Sequence, residues 1–354
     1  MDTNLSQFVA SHAGNDIFKV EETLGNGYVR LNITEAQRRQ AAQDITCVED
    51  IIIELVRNSR DAGAHYIFIA TTRDANTRIL TVLDDGCGIP PSLHKRVFEP
   101  RVTSKLNTPV QDSWGFHGRG MALYSIKENA ANAQIVASDL GLGTSVTVTV
   151  DCHKTPERTD QSSWPVYKQT NEDGIVLGSG PHNIIRTCLE LVLQSKEPLN
   201  LYLGSPLDIV ATLVSLYNKG LSTHDYLLTD PLDLPYCKRL SFATDAAALS
   251  DAAQQVGLTI SKRSAHRVLT GEIQPLKTII QMLRQSTLTS NTAIPEHDRR
   301  SFKMTEAEKR EFGHKCMELF EPYGANSYVK AVGEPQISIR GSRVIVSFDT
   351  SHDD

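Results

Sequence analysis

The chain has 354 residues, 40% apolar and 22% charged, with a formal net charge of −6 at pH 7. That composition provides for packed cores and more than one domain of ordinary size, and it excludes a protein that is basic throughout while leaving room for a local basic face. The cysteines at 47, 87, 152, 188, 237 and 316 show neither metal-ligand spacing nor a small secreted framework, the N-terminus lacks a charged-then-apolar signal, and no apolar run approaches ~18 residues, so a cytoplasmic protein with reduced thiols and no membrane association is expected.

The first patterned stretch runs from Val48 to Val56, with apolar residues at helical spacing around charged ones, and continues as Glu54-Leu-Val-Arg-Asn58-Ser-Arg-Asp-Ala-Gly63. Glu54 and Asn58 are four apart, so on a helix both side chains leave one face. A carboxamide oxygen at Asn58 suits a magnesium ion that keeps much of its water. A carboxylate one turn earlier can hold a water against a phosphorus, and phosphoryl transfer asks for little more than such positioning and charge stabilisation. Taken alone, the pair reads first as a solvated polar face of an amphipathic helix, and it is the later motifs that reverse that reading.

Residues 65–71 and 78–83 read as two strands around a polar turn, and the second runs into Asp84-Asp-Gly86-Cys-Gly88-Ile89. An ionised Asp only accepts hydrogen bonds, so Asp84 can take one from the exocyclic amine of adenine, where guanine would oppose it with an oxygen. Gly86 and Gly88 allow a sharp turn and close approach of a base to the main chain. An ordinary Asp-Gly hairpin turn is the competing reading of these residues in isolation.

Roughly 25 residues follow, with Pro90, Pro91, Pro100 and Pro109, too long for a compact connection and better read as a lid. The lid contains Val97-Phe-Glu-Pro-Arg-Val-Thr103-Ser104-Lys105; Lys105 can reach a terminal phosphate on closure or be only a solubilising loop lysine. Then come Gly115, Gly118 and Gly120 ahead of a helix start, a backbone that can cradle polyphosphate. The preceding elements are in the wrong order for a dinucleotide βαβ unit, and no GxxxxGK[ST] loop occurs. Gly143-Thr144-Ser-Val-Thr-Val-Thr-Val150 reads as a strand entered from a glycine turn.

In this order and spacing, the motifs resemble the ATP site of the gyrase, heat-shock chaperone, histidine-kinase and MutL superfamily, the Bergerat or GHKL fold. The Glu-Leu-Val-x-Asn-Ser-x-Asp-Ala-Gly-Ala and Gly-Phe-x-Gly-x-x-x-Ala-Leu-x-Ser-Ile runs are similar to MutL. The resemblance covers residues 15–150 or so. It implies ATP and Mg2+ as ligands, Glu54 as the water-positioning base, Asn58 as the metal ligand and Asp84 as the adenine reader. It groups Gly86, Gly88, Thr103, Ser104, Lys105, Gly115, Gly118, Gly120 and Thr144 with the nucleotide contacts, and it implies an ATP-linked homodimer. A helical hairpin carrying a phosphoacceptor histidine, as in histidine kinases, is not expected before the helix at Val48, because glycines at 14, 25 and 27 interrupt that stretch. The MutL transducer domain and its ATP-directed lysine are not recognisable downstream.

The expected organisation is an α/β, two-layer Bergerat sandwich of helices on a mixed, largely antiparallel sheet over 1–155, a loop-rich linker over 156–181, and a mostly helical domain over 182–354 ending in a β-hairpin. Within the last, residues 247–273 look like a helix-turn-helix. Ser261 would cap its second helix, and Lys262, Arg263 and Arg267 would lie where a recognition helix meets duplex DNA. The turn is about two residues longer than the usual motif, so a packed pair of helices with a solvated basic face stays open beside it. The leading functional expectation is a MutL-like ATPase in DNA repair or another DNA transaction. The alternatives are a nucleotide-gated interaction module with little turnover and a protein kinase related to the histidine kinases.

Overall fold

A computed structural model describes residues 20–104, 110–112, 115–117, 120–158, 160–169, 174–218, 230–292, 306–325, 329–340 and 343–352. In chain order the strands are β1 (Val20–Gly25), β2 (Tyr28–Leu31), β3 (Tyr66–Asp74), β4 (Thr77–Asp84), β5 (Val102–Thr103), β6 (Val110–Asp112), β7 (Gly115–His117), β8 (Asn132–Asp139), β9 (Gly143–Asp151), β10 (Tyr167–Gln169), β11 (Ile175–Leu177), β12 (Asn200–Gly204), β13 (Val329–Arg340) and β14 (Arg343–His352). The α-helices are α1 (Glu35–Gln43), α2 (Val48–Asp61), α3 (Ala122–Asn129), α4 (Ile184–Leu193), α5 (Pro206–Asn218), α6 (Tyr236–Arg239), α7 (Ala246–Gln255), α8 (Lys262–Leu269), α9 (Ile279–Thr292) and α10 (Glu306–Ala325).

The central sheet is five-stranded in the order β12-β3-β4-β9-β8, antiparallel except for the parallel β12–β3 pair. Period-two alternation along these strands supplies both faces. Ile67, Ile69, Leu80, Val82, Val146 and Val148 point to one side, where Val48, Ile51, Ile52, Leu55 and Val56 of α2 cover them together with Cys188 and Leu189 of α4. Phe68, Ala70, Leu83, Ala137 and Tyr202 point to the other, where α5, α7 and α8 contribute Ile209, Leu213, Leu249, Ala253, Ala265 and Val268. The expected mixed α/β sandwich is therefore present, and the helices that follow it add a third layer on the back of the sheet.

This layering moves the domain boundary. The expected junction at 156–181 is part of the fold: Val48 N–H donates to Pro156 O at 3.0 Å, and the buried Glu49 carboxylate accepts from Arg158 N–H and the Gln161 amide. Asn183, also buried, donates to the Asp160 and Ser163 carbonyls, and Trp164 and Tyr167 pack on the core. The chain divides into Met1–Ser286 and Thr287–Asp354. The physical reason lies in β12 and α5, which complete the edge and the back face of the sheet and so bind residues after 181 to those before 155. In the second unit the predicted terminal hairpin is present as β13–β14, with Phe320 of α10 edge-on to Phe348 at 5.4 Å. The six cysteines are free thiols, and among the described residues no helix is long and apolar enough to cross a membrane.

Candidate active site

Helix α2 carries the first part of the site. Asp50 fixes its start by accepting from the Thr46 and Cys47 N–H groups at 2.8 and 3.1 Å. Ile51, Ile52, Leu55 and Val56 then turn into the core, and Glu54 and Asn58 emerge one turn apart into a cavity of about 670 Å³. Arg57 lines the same cavity. Although its residue is only 4% exposed, its guanidinium Nη1 donates to Glu54 Oε1 at 2.7 Å.

Asp84 ends β4 on the cavity wall and is 4% exposed. Its Oδ2 accepts from the Ser59 hydroxyl at 2.6 Å and its Oδ1 from the Gly86 N–H at 2.9 Å. Burial dominates its electrostatics and lifts the carboxyl to about 6, against the opposing hydrogen bonds from Ser59 and Gly86. Thr144 lies directly across the β4–β9 ladder from Asp84, with its hydroxyl 3.0 Å from that of Ser138. Both Asp84 and Thr144 thus reach the cavity from adjacent strands. Asp85 serves the scaffold instead, accepting from the His65 and Tyr66 N–H groups, each at 2.8 Å.

The glycines have separate tasks. Gly88, at φ +75°, sits so close to Asp139 O that an added Cβ would lie 1.8 Å from it, and Gly143 makes a similar approach to Asp84 O at 2.2 Å. These contacts press the turn after β4 against the β8–β9 turn and hold Asp84 in place. At Gly86 a Cβ would meet Ala62 Cβ at 2.8 Å, which ties the turn to the end of α2.

The lid begins as fixed structure. Val97, Phe98 and Val102 are buried with Leu93, and β5 pairs with β2, so the three-stranded sheet β1-β2-β5 anchors it. Arg96 forks onto Glu22 at 2.6 and 2.9 Å, and Arg30 reaches Glu99 at 3.2 Å. Thr103 and Ser104 line the cavity, as do Tyr28 and Gly120. Burial raises the Tyr28 hydroxyl above its usual range, offset in part by a hydrogen bond with Ser104. Arg101, at φ +64°, also lines the cavity, and its N–H donates to Gly120 O at 2.8 Å. A non-glycine residue in the left-handed region stores strain of a kind that collects at functional sites. Gly115 lies on β7, and Lys105 and Gly118 lie outside the described residues.

The candidate DNA-binding residues Lys262, Arg263 and Arg267 lie on α8 and do not line this cavity. Ser261 caps α8 as expected, accepting from Ser264 N–H at 3.1 Å. Ala265 and Val268 are buried, whereas Lys262, Arg263 and Arg267 are exposed; Arg267 pairs with the equally exposed Glu272 at 3.1 Å.

Sequence reasoning missed Arg57, Ser59, Arg101 and Tyr28. The spacing from Glu54 to Arg57 was a usable signal. No local pattern could place Ser59 against Asp84, since 25 residues separate them.

A mixed sheet with helix-borne Glu54 and Asn58 facing strand-borne Asp84 across one cavity is the arrangement that the resemblance to the GHKL fold implies. Residues 43–154 match the family model described as histidine kinase-, DNA gyrase B- and HSP90-like ATPase. Within it the chain is similar to the DNA mismatch repair protein MutL of Clostridium botulinum (strain ATCC 19397 / Type A), 30% identical over 117 residues, covering 31% of this chain and 17% of the relative. It is likewise similar to MutL of Clostridium perfringens (strain ATCC 13124), 31% identical over 118 residues, covering 32% of this chain and again 17% of the relative. The match thus spans about one sixth of the length of these curated relatives. Among solved structures, the N-terminal domain of a DNA repair protein aligns at 24% identity over 34% of this chain and 41% of that one, with a TM-score of 0.24. The catalytic domain of histidine kinase ThkA aligns at 19% identity over 35% and 70%, with a TM-score of 0.21.

Proposed function

We propose that this protein binds ATP with Mg2+ in the cavity between α2 and the lid and hydrolyses it, and that hydrolysis is coupled to a DNA transaction. One observation carries the reading: Glu54, Asn58 and Asp84, each with a distinct chemical task, line one cavity. The donor set fits the ligands. Asn58 offers a neutral hard oxygen to a divalent cation, and Asp84 offers a buried acceptor to an amine. Magnesium held at Asn58 would supply charge neutralisation on the phosphate oxygens.

In this reading Glu54 orients a water whose oxygen forms a new bond to the terminal phosphorus. The bond from that phosphorus to the bridging oxygen breaks with its electron pair going to ADP, and the water proton passes to the Glu54 carboxylate. Asp84 selects adenine, Thr144 adds a hydroxyl beside it, and Thr103, Ser104 and Lys105 of the lid join Gly115, Gly118 and Gly120 around the phosphates. Closure of the lid on ATP would create a homodimer interface. The DNA role is supported by the similarity to proteins named for DNA mismatch repair and by the exposed cations of α8.

The test is magnesium-dependent ATP binding and hydrolysis by the wild type and Glu54→Gln, with and without duplex DNA, and sedimentation with and without ATP. Both proteins are expected to bind ATP, only the wild type to turn it over, and DNA to change the rate. A wild type that fails to bind ATP would overturn the reading, and binding without turnover would leave a nucleotide-gated module.

A further inference from the structure

We propose that Arg57 is a positioning residue for hydrolysis: it fixes the Glu54 carboxylate in one orientation and keeps it ionised, so that the base is ready before ATP arrives. The inference rests on the hydrolytic reading of the site.

Position 57 is an unusual place for a cation. The residue is 4% exposed and shares the cavity wall with Glu54, whose side chain is 22% exposed. The core stripe of α2 is complete without it, since Ile52, Leu55, Val56 and Ser59 already face inward. A guanidinium held this far from water is costly unless a carboxylate answers it, and the Nη1 to Oε1 distance of 2.7 Å is that of a charge-assisted hydrogen bond. An exposed i,i+3 pair would do little, because solvent screens it and both side chains sample many rotamers. This pair is largely shielded, so Arg57 constrains where the carboxylate sits.

Two effects follow for Glu54. Its side chain is held in one rotamer, which removes the cost of ordering the base at the moment of reaction. The adjacent cation also favours the ionised form, which alone can accept a proton. Among the described residues, the other titratable groups facing the cavity are Asp44, Asp61, Asp84, Arg101, Tyr28 and Cys87. Arg57 is ion-paired with Glu54 at 2.7 Å. The Asp84 carboxyl is occupied by Ser59 and Gly86, so the two carboxylates are separable by mutation.

The experiment compares the full chain as wild type, Arg57→Met, Arg57→Lys and Glu54→Gln, measuring ATP affinity, kcat and KM from about pH 5 to pH 9. Arg57→Met removes the charge at similar length. It is expected to leave ATP affinity and KM within about twofold, to lower kcat by about tenfold or more, and to move the acid limb of the kcat profile to higher pH. Arg57→Lys should return the acid limb toward its wild-type position and recover part of kcat, since it restores the charge but not the planar fork. If Arg57→Met fails to fold, Arg57→Gln takes its place with the same expectation.

An unchanged kcat, or an acid limb that stays in place, overturns the proposal. A loss that falls on KM and affinity alone also overturns it, because it assigns Arg57 to binding. Failure of the wild type to hydrolyse ATP is a different result and removes the hydrolytic reading together with this one.

Discussion

The Ser59 hydroxyl donates a 2.6 Å hydrogen bond to Asp84 Oδ2, joining the residue after Asn58 on α2 to the end of β4. Through that bond the helix carrying Glu54 and Asn58 is set in register with the strand carrying Asp84, the proposed adenine reader. Ser59→Ala leaves one oxygen of a buried carboxylate without this donor. The expected result is a loss of ~1–3 kcal/mol in unfolding free energy, together with weaker ATP binding. Denaturant melts beside nucleotide titrations would check it, and unchanged values in both would show that the bond does not register the two elements.

The Asp84 carboxyl is lifted to about 6 by burial, so it loses its charge in mildly acidic solution. Protonation converts an acceptor to a donor, and ATP affinity should fall as pH drops through about 6. The effect on stability has the opposite sense. Because the folded value lies above the unfolded one, this group favours the fold below its ordinary range, and that contribution is lost as pH rises through about 6. Asp84→Asn should therefore flatten the pH dependence and raise the thermal midpoint near neutrality, while weakening ATP binding by at least ~tenfold, since an amide offers one acceptor oxygen in place of two. Thermal melts and ATP titrations across this pH range read both signs at once.

The exposed face of α8 makes a separable prediction. If Arg263 and Arg267 contact phosphates, alanine at either should weaken duplex binding nearly uniformly across sequences and lower the salt slope by ~1 each. ATPase activity without DNA should not change, because neither residue lines the proposed nucleotide cavity. Arg267 has Glu272 beside it at 3.1 Å, an exposed pair that is cheap to give up for a phosphate. Salt-insensitive binding, or none, would return this helix to the role of a packed layer.

The site was legible where its chemistry is local. Glu54, Asn58 and Asp84 announced themselves by spacing and by flanking glycines, and all line the cavity. The predicted strands 65–71, 78–83 and 143–150 stand as β3, β4 and β9, because their alternation matches a sheet buried on both faces. What escaped was set by distant contacts. The short β12 looked like part of a helical region because its strand identity comes from parallel pairing with β3. The stretch 156–181 looked like a linker because its ties, Glu49 to Gln161 and Asn183 to Asp160, join polar residues with no periodicity. Gly88 was read as room for a base; it lines the cavity, and its bare backbone is also pressed against Asp139, a contact no local pattern could announce.

The back of the sheet bears on how this domain can be handled. The Ser145 hydroxyl donates to Val256 O at 2.7 Å and the Thr81 hydroxyl to Gly257 O at 3.1 Å, so the turn between α7 and α8 is seated on β4 and β9. Leu83 and Ser145 face that turn, one residue along from Asp84 and Thr144, which line the cavity between α2 and the lid. A fragment cut at the end of the family match would expose Phe68, Ala70, Leu83 and Ala137 to water as a broad oily surface. The smallest soluble piece that keeps this pocket should therefore run to Ser286, and complementation between two shorter fragments would be governed by how well that surface is resealed.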